Sequence, residues 1–599
     1  MKTTRTSPSL AAPARDASRT SHGDASGPCT AFRRRLRSGA ALTGALAAGS
    51  LVLAGNPFTL SMQGTQAAEA AVTTQVRALR TPTRPNLLVI TADDMRADDL
   101  RWMPRTRHLL ADRGITFRNS FSTDPLCAPS RASFLTARYA HNHRVLHVLE
   151  PYGFGAFDDS TTLSTRLQSA GYRTALAGKY LNGYGVMPTF STHSPSLRYV
   201  PPGWTQWYGS SDHRWAPGQW PGGYTYAYLH LTSNVNGRLH TWPGKYTTDV
   251  TAHQTQNLTR SLGTASPRRP WFVWWTPIAP HSGTPREPDD PGTVQRSDGV
   301  PVSFVTPVRP AWVEHRFDAD ITHGAGTPLN RDAEADVSDK PQFIRSYPSL
   351  NNAERRAERD VTRQRAEALY ALDARIGDTI GALRSSGQLA RTIIVFTSDN
   401  GYYLGEHRVR QGKVKLHEPS VRVPLIMAGP GIPHGVRYDP ATEMDVAATV
   451  ASWAGTSLVN ADGHSLRSTI AGGDHGWTRP VVLEGRMSES DYAHGTVDEE
   501  TLNGMSVSGI RVGRYALFRY STGETELYDI SADPLELNSL NGPESNDLRD
   551  LLMNTWRQYA DCVGAQCQVA LPPALQTGPA ANRQITDHQD QARHSYYAY

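Results

Sequence analysis

Leu87-Leu88-Val89-Ile90-Thr91-Ala92-Asp93-Asp94 is an apolar run of strand length that stops abruptly at two carboxylates. An uninterrupted apolar run, as opposed to an alternating one, reads as a strand buried on both faces. Three more segments share the pattern. Thr174-Ala175-Leu176-Ala177 runs into Gly178 and Lys179, and Trp271-Phe272-Val273-Trp274-Trp275 runs through Pro277 and Pro280 into His281. Ile393-Ile394-Val395-Phe396-Thr397 runs into Asp399 and Asn400. Ligands of open α/β sheets bind beyond the carboxyl ends of parallel strands, so parallel pairing of these four would bring three aspartates, an asparagine, a lysine and a histidine to one edge. Helical stretches lie between them. In Glu354 to Arg384, Leu369, Leu372, Ile376, Ile380 and Leu383 recur at three- and four-residue spacing, which predicts a helix packed on the sheet and an α/β class.

Outward from the strands the texture changes. Pro188 to His240 is rich in Trp, Tyr, Gly and Pro without helical periodicity, and reads as loops and short strands beside the site. Trp204, Trp207, Tyr224 and Tyr226 form a candidate platform for substrate contacts there. Residues 282 to 350 read as a polar, Pro-rich insertion. Val481 to Glu484, Gly509 to Val512, Tyr515 to Arg519 and Glu526 to Asp529 read as short antiparallel strands, covered by a helix from about Asn546 to Tyr559. The expected organisation is a catalytic domain over 84–474, built on a large mixed, mostly parallel sheet flanked by helices. A smaller antiparallel sheet plus helix over 475–567 and an irregular tail over 568–599 follow.

The first residues read as an export signal over 1–70 followed by a linker over 71–83. Arg33, Arg34, Arg35 and Arg37 precede a small-residue apolar run from Ala40 to Gly55, and Ala68-Glu69-Ala70 resembles a signal-peptidase site. The apolar run is short for a membrane anchor, and the adjacent arginines fit the twin-arginine route, in which proteins leave the cytoplasm folded. A secreted protein with no stable membrane partner is expected. The net charge of +5 comes without a basic block interleaved with aromatics, so nucleic acid is not implied. Of the four cysteines, Cys29 lies in the leader, Cys562 and Cys567 are spaced for a small disulfide loop, and Cys127 has no obvious partner.

Cys127-Ala128-Pro129-Ser130-Arg131 opens a helical stretch, since proline is favoured in the first turn. That puts Cys127 at a helix amino terminus, where free N–H groups and the helix dipole favour an anion, with the Arg131 guanidinium one turn along. A sulfate or phosphate group fits such a place. Cys-x-Pro-Ser-Arg followed by Ala132-Ser133-Phe134-Leu135-Thr136-Ala137-Arg138 resembles the signature of the type I sulfatases of the alkaline-phosphatase superfamily. The resemblance implies that Cys127 is oxidised after translation to formylglycine (3-oxoalanine) by a formylglycine-generating enzyme. One hydroxyl of the hydrated aldehyde attacks sulfur, and the second then expels sulfate.

The resemblance further implies that Asp93, Asp94, Asp399 and Asn400, with the modified Cys127, hold a divalent cation, generally calcium. Their all-oxygen character suits a hard ion. Lys179 in Ala-Gly-Lys-Tyr matches a sulfate-binding lysine, His281 in Ala-Pro-His the histidine that protonates the leaving alcohol, and Lys413 a second sulfate-contacting lysine, with Lys415 a nearby rival. The sequence departs from the family in one respect: many sulfatases carry a histidine two or three residues after the first lysine, where this chain has Leu181 and Asn182. His141 or His143 could substitute, or Asn182 could bind without titrating. The asparagine after Gly-Lys-Tyr-Leu, the Tyr-Ala-His-Asn-His stretch and Val337-Ser338-Asp339-Lys340-Pro341 most resemble the N-acetylglucosamine-6-sulfatase branch. The expected substrate is therefore an aryl sulfate or a sugar sulfate. A phosphonate monoester or phosphodiester hydrolase using the same oxidised cysteine is the alternative, and a noncatalytic sulfated-glycan-binding relative a weaker one.

Overall fold

The computed structural model describes residues 84–265, 269–329, 331–487 and 505–598. The expected export signal, its linker and Cys29 lie outside the described residues. A ten-stranded sheet forms the centre. Its strands are β1 (Asn86–Ala92), β2 (Ile115–Phe117), β3 (Arg173–Gly178), β4 (Gln206–Ser210), β5 (His230–Val235), β6 (Arg238–Pro243), β7 (Trp271–Thr276), β8 (Thr392–Ser398), β9 (Leu425–Ala428) and β10 (Gly435–Arg437). They lie in the order β10-β2-β9-β8-β1-β7-β3-β4-β5-β6. The run β8-β1-β7-β3-β4 is parallel, while the antiparallel pairings lie toward the two margins. All four strands read from the sequence are therefore neighbours, and their carboxyl ends share one edge.

The apolar runs are continuous because both faces of these strands are covered. Leu87, Val89, Phe272, Trp274, Ile393 and Val395 share a core with helices α1 (Cys127–Thr136), α2 (Leu163–Ser169) and α5 (Glu443–Trp453). Leu88, Ile90, Val273, Trp275, Ile394 and Phe396 alternate onto the other face, against α3 (Thr247–Ala265) and α4 (Asn352–Ser385). Each fully buried large apolar side chain contributes about 1.5–3 kcal/mol, so a polar residue within these runs would be costly. The polar groups stand just past the strand ends, where the chain leaves the sheet, and Asp93, Asp94, Lys179, Asp399 and Asn400 are still buried there. Helix α4 starts at a reciprocal cap in which Asn351 and Glu354 satisfy each other's backbone N–H groups. Leu369, Leu372, Ile376, Ile380 and Leu383 all lie in its buried stripe.

β11 (Val481–Arg486), β12 (Ser506–Val512), β13 (Tyr515–Tyr520) and β14 (Thr525–Asp529) form a separate antiparallel sheet. Helix α6 (Asn546–Tyr559) packs on it, with Trp556 Nε1 donating to Ser508 Oγ over 3.0 Å. The hydrophobic core continues across residues 474 and 475, with the Phe121 and Trp477 rings 5.7 Å apart. Cys562 and Cys567 form a disulfide, and Cys127 is free and buried. No described helix is long and apolar enough to cross a membrane.

The tail differs from the expectation of irregular chain over 568–599. Pro579–Tyr597 is a nineteen-residue helix, α7. Its buried face is polar: Asn582 donates to the Tyr438 carbonyl, Thr586 accepts from Asn119, and Gln589 accepts from Arg422. A helix docked through amides and a hydroxyl leaves no apolar period to read.

Candidate active site

The loops leaving four adjacent strands converge on the amino end of α1. Leu126 is the N-cap residue in extended conformation, so Cys127 is the first residue of a helix whose ten residues are all buried. The Cys127 Sγ lies 3.3 Å from Asp93 Oδ1 and accepts from Lys413 Nζ at 2.8 Å. Lys179 Nζ, just past β3, lies 2.8 Å from Asp93 Oδ2. Lys413 Nζ also reaches Asp94 Oδ1 at 2.5 Å. Arg131, one turn into α1, donates from Nε to Asp399 Oδ2 at 2.8 Å and from Nη1 to the Lys179 carbonyl at 3.0 Å. His281 Nε2 faces Asp94 Oδ2 at 3.7 Å. Its Nδ1 lies 2.7 Å from the Ser282 carbonyl, an acceptor only, so Nδ1 carries a proton and Nε2 faces the site.

The acidic side of the centre is equally constrained. Asp399 Oδ1 accepts from the backbone N–H of Asp94 and of Asn400, at 3.1 and 2.9 Å. Asn400 Nδ2 donates to Asp94 Oδ1 at 2.7 Å. Asp94 itself has φ 66°, the left-handed region that only a few non-glycine residues adopt. Burial would push the Asp93 and Asp94 carboxyls up, yet the surrounding Lys179, Lys413 and His281 charges, with Arg131 at Asp93, hold both below the ordinary carboxylate range. Burial, with the Asp93 charge, pushes the Cys127 thiol well up. An unmodified thiol there would be a poor source of thiolate.

A hard cation suits this donor set. Asp93, Asp94, Cys127 and His281 bring ligand atoms within 4.8 Å of one another, and the Asn400 Oδ1 atom is buried without a hydrogen-bond partner among the described residues. An amide oxygen left unpaired beside three carboxylates fits a ligand to a hard divalent cation.

Three expectations are resolved by position. Val414 has φ 76°, rare for a β-branched residue, and on either side of it the chain sends Lys413 to Cys127 and Lys415 to the Phe343 ring. His141 and His143 do not take the place of the missing histidine. His141 bonds Glu484 and the Cys562 carbonyl, and His143 bonds Ser133 Oγ and the Val145 N–H, so both nitrogens of each ring are engaged with structural partners. Burial and the charges of His141 and Arg138 push His143 down to about 3. Trp204 and Trp207 are core residues, not a platform: Trp204 stacks on Phe272, and Trp207 donates to the Tyr184 hydroxyl. Tyr224 and Tyr226 remain near the site, with Tyr226 4.5 Å from the His281 ring and accepting from Asn182 Nδ2 at 2.7 Å.

The His141 pair carries a pH prediction. Burial disfavours its charge, but the Glu484 carboxylate outweighs that and raises it from 6.5 to about 9. The stabilisation is therefore complete below pH 6.5 and is lost as the pH rises through about 9, an effect on the order of 2 kcal/mol after partial solvent screening. Denaturant unfolding at pH 6 and pH 10 should show the loss in the natural protein, and His141→Gln should flatten it.

A family model described as Sulfatase matches residues 85–456. The chain belongs to the sulfatase family. A second model, described as N-sulphoglucosamine sulphohydrolase, C-terminal, matches residues 405–562 of this sulfatase. The sulfatase is 28% identical over 526 residues to an arylsulfatase of Volvox carteri, covering 81% of this chain and 76% of the relative. It is 25% identical over 519 residues to the N-acetylglucosamine-6-sulfatase of Capra hircus, covering 81% and 85%. A solved structure of a protein in complex with its substrate D-glucosamine-2-N,6-O-disulfate shares the fold, with a TM-score of 0.57, 22% identity, and coverage of 81% of this chain and 98% of the other. The protein is a type I sulfatase of the alkaline-phosphatase superfamily, and its reaction is the hydrolysis of a sulfate ester.

One residue at the sulfatase centre went unread in the sequence. Arg365 reaches from α4 to the carbonyls of Asp94 and Pro280, and so ties the ends of β1 and β7 together. Its signal was a charge on an apolar face: it stands four residues before Leu369, in the buried stripe.

Proposed function

We propose that this sulfatase removes the sulfate monoester of a sugar, of which N-acetylglucosamine 6-sulfate is the type, using formylglycine made from Cys127 and a divalent cation, calcium by the family pattern. The observation that carries the reading is the convergence of Lys413, Asp93 and Asp94 on Cys127 Sγ, with Lys179 bound to Asp93 and with Arg131 and His281 within 3.8 Å of the same carboxylates. When oxidised and hydrated, residue 127 supplies a geminal diol, which a thiol or a serine hydroxyl cannot replace. Asp93, Asp94, Asp399 and Asn400 would hold the cation, which when bound would supply Lewis-acid polarisation of the sulfate.

The chain's own side chains do the rest. Lys179, Lys413 and Arg131 present fixed positive charge to the sulfate oxygens, and because they are already placed, they reorganise little as charge develops. Arg131 Nη2 is buried with no hydrogen-bond partner among the described residues, which leaves a donor for such an oxygen. His281 delivers the Nε2 proton to the departing alcohol oxygen. Asn182 occupies the place where relatives of the family carry histidine, and contributes hydrogen bonds without a titrating proton.

Maturation and export fit one order. The modifying enzyme must meet an open chain, because residue 127 is buried once folded. Oxidation therefore precedes folding, and the folded protein leaves by the twin-arginine route and acts outside the cytoplasmic membrane. The test is sulfate release from N-acetylglucosamine 6-sulfate, an aryl sulfate and an aryl phosphodiester by the aldehyde-bearing protein. Turnover of the sugar sulfate supports the reading. Phosphodiester turnover exceeding both sulfates would overturn it.

A further inference from the structure

The alcohol that leaves must lie against His281, so the surface leading away from His281 decides which alcohols fit. Tyr226 lies against that histidine, with ring centroids 4.5 Å apart, and the Tyr224 ring lies 6.2 Å from that of Tyr226. The Arg214 guanidinium then lies 4.8 Å from the Tyr224 ring centroid. Arg214 is exposed and has no carboxylate partner among the described residues. An aromatic track thus runs from the proton donor to an unpaired cation.

The track is built into the fold. The Thr284 N–H donates to the Tyr226 carbonyl at 2.9 Å, and the Tyr224 hydroxyl meets Thr284 Oγ1 at 3.2 Å, which fixes both tyrosines to the segment following His281. On the other side, the Gly183 N–H donates to Asp212 Oδ2 at 2.8 Å, tying the loop that carries Arg214 to the segment following Lys179. Asn182 pins the Tyr226 hydroxyl, and its own Oδ1 is buried without a partner among the described residues. That is an acceptor in want of a donor beside Tyr226, such as a sugar hydroxyl or amide would supply.

We propose that Tyr226, Tyr224 and Arg214 form a subsite for an acidic oligosaccharide. The sulfated ring lies over Tyr226 with a hydroxyl or amide on Asn182 Oδ1, and a neighbouring ring carries a carboxylate or second sulfate to Arg214. Two tyrosine rings stand between His281 and Arg214 in this chain of contacts, so the second anion is assigned to the next residue of the glycan. A guanidinium set against an aromatic ring, with no carboxylate on it, can give two parallel hydrogen bonds to such a group. The inference rests on the sugar-sulfatase reading above.

The test uses the full-length, aldehyde-bearing protein and two disaccharides of N-acetylglucosamine 6-sulfate, one joined to glucuronate and one to galactose. The natural protein should favour the acidic disaccharide in kcat/KM by about tenfold, the scale of one charge-assisted contact. R214A should collapse that ratio through KM, with Arg214→Lys retaining part of it and rising salt eroding it. Equal kcat/KM for the two disaccharides, or a ratio that survives R214A, overturns the subsite alone. A natural protein that releases sulfate from neither disaccharide but from an aryl sulfate overturns the sugar reading as well.

Discussion

Cys127→Ala is expected to stop sulfate release while leaving the fold standing. Removing a reacting group usually costs roughly 10⁴-fold or more in turnover, and no neighbouring hydroxyl offers two oxygens on one carbon. The packing cost is small. Alanine is the best helix former and residue 127 opens α1, so the missing sulfur costs about 1 kcal/mol. Lys413 keeps Asp94 as a partner. Sulfate release and a denaturant midpoint on the same preparation check both halves: lost turnover with a near-natural midpoint is the expected pair, and appreciable turnover by the alanine protein would deny position 127 its role.

His281→Ala is expected to show a loss that depends on the leaving group. With a sugar alcohol, whose oxygen leaves poorly without a proton, turnover should fall by roughly 10²- to 10⁴-fold. With an aryl sulfate whose phenol is a good leaving group, the fall should be far smaller. The geometry supports a proton donor over a structural ring, since Nδ1 is spent on the Ser282 carbonyl and Nε2 is directed to the carboxylate centre. Parallel kcat measurements on both esters settle it. Equal losses on both would assign His281 a positioning part instead.

The centre of the fold was legible because its physics is local. Strands β1, β7 and β8 are buried on both faces, so their sequences are unbroken apolar runs, and the polar residues just past their ends mark where the sheet stops. The Cys127 to Arg131 motif then placed a helix start against that edge. What stayed hidden had no such signature. Helix α7 docks through Asn582, Thr586 and Gln589, whose burial hydropathy does not register. Trp204 and Trp207 sit in a Gly- and Pro-rich region that reads as surface, although both rings are core. His141 and His143 follow the signature helix in sequence, but the chain has by then turned toward Glu484 and Ser133. Lys413 and Lys415 could be separated only by a backbone turn at Val414.

The most direct test of the account is to prepare the full-length protein with and without a formylglycine-generating enzyme, determine by peptide mass the fraction of residue 127 present as aldehyde, and measure sulfate release from N-acetylglucosamine 6-sulfate by each preparation. The account predicts a rate proportional to the aldehyde fraction and essentially none from the thiol form. Equal rates from the thiol and aldehyde preparations would contradict it.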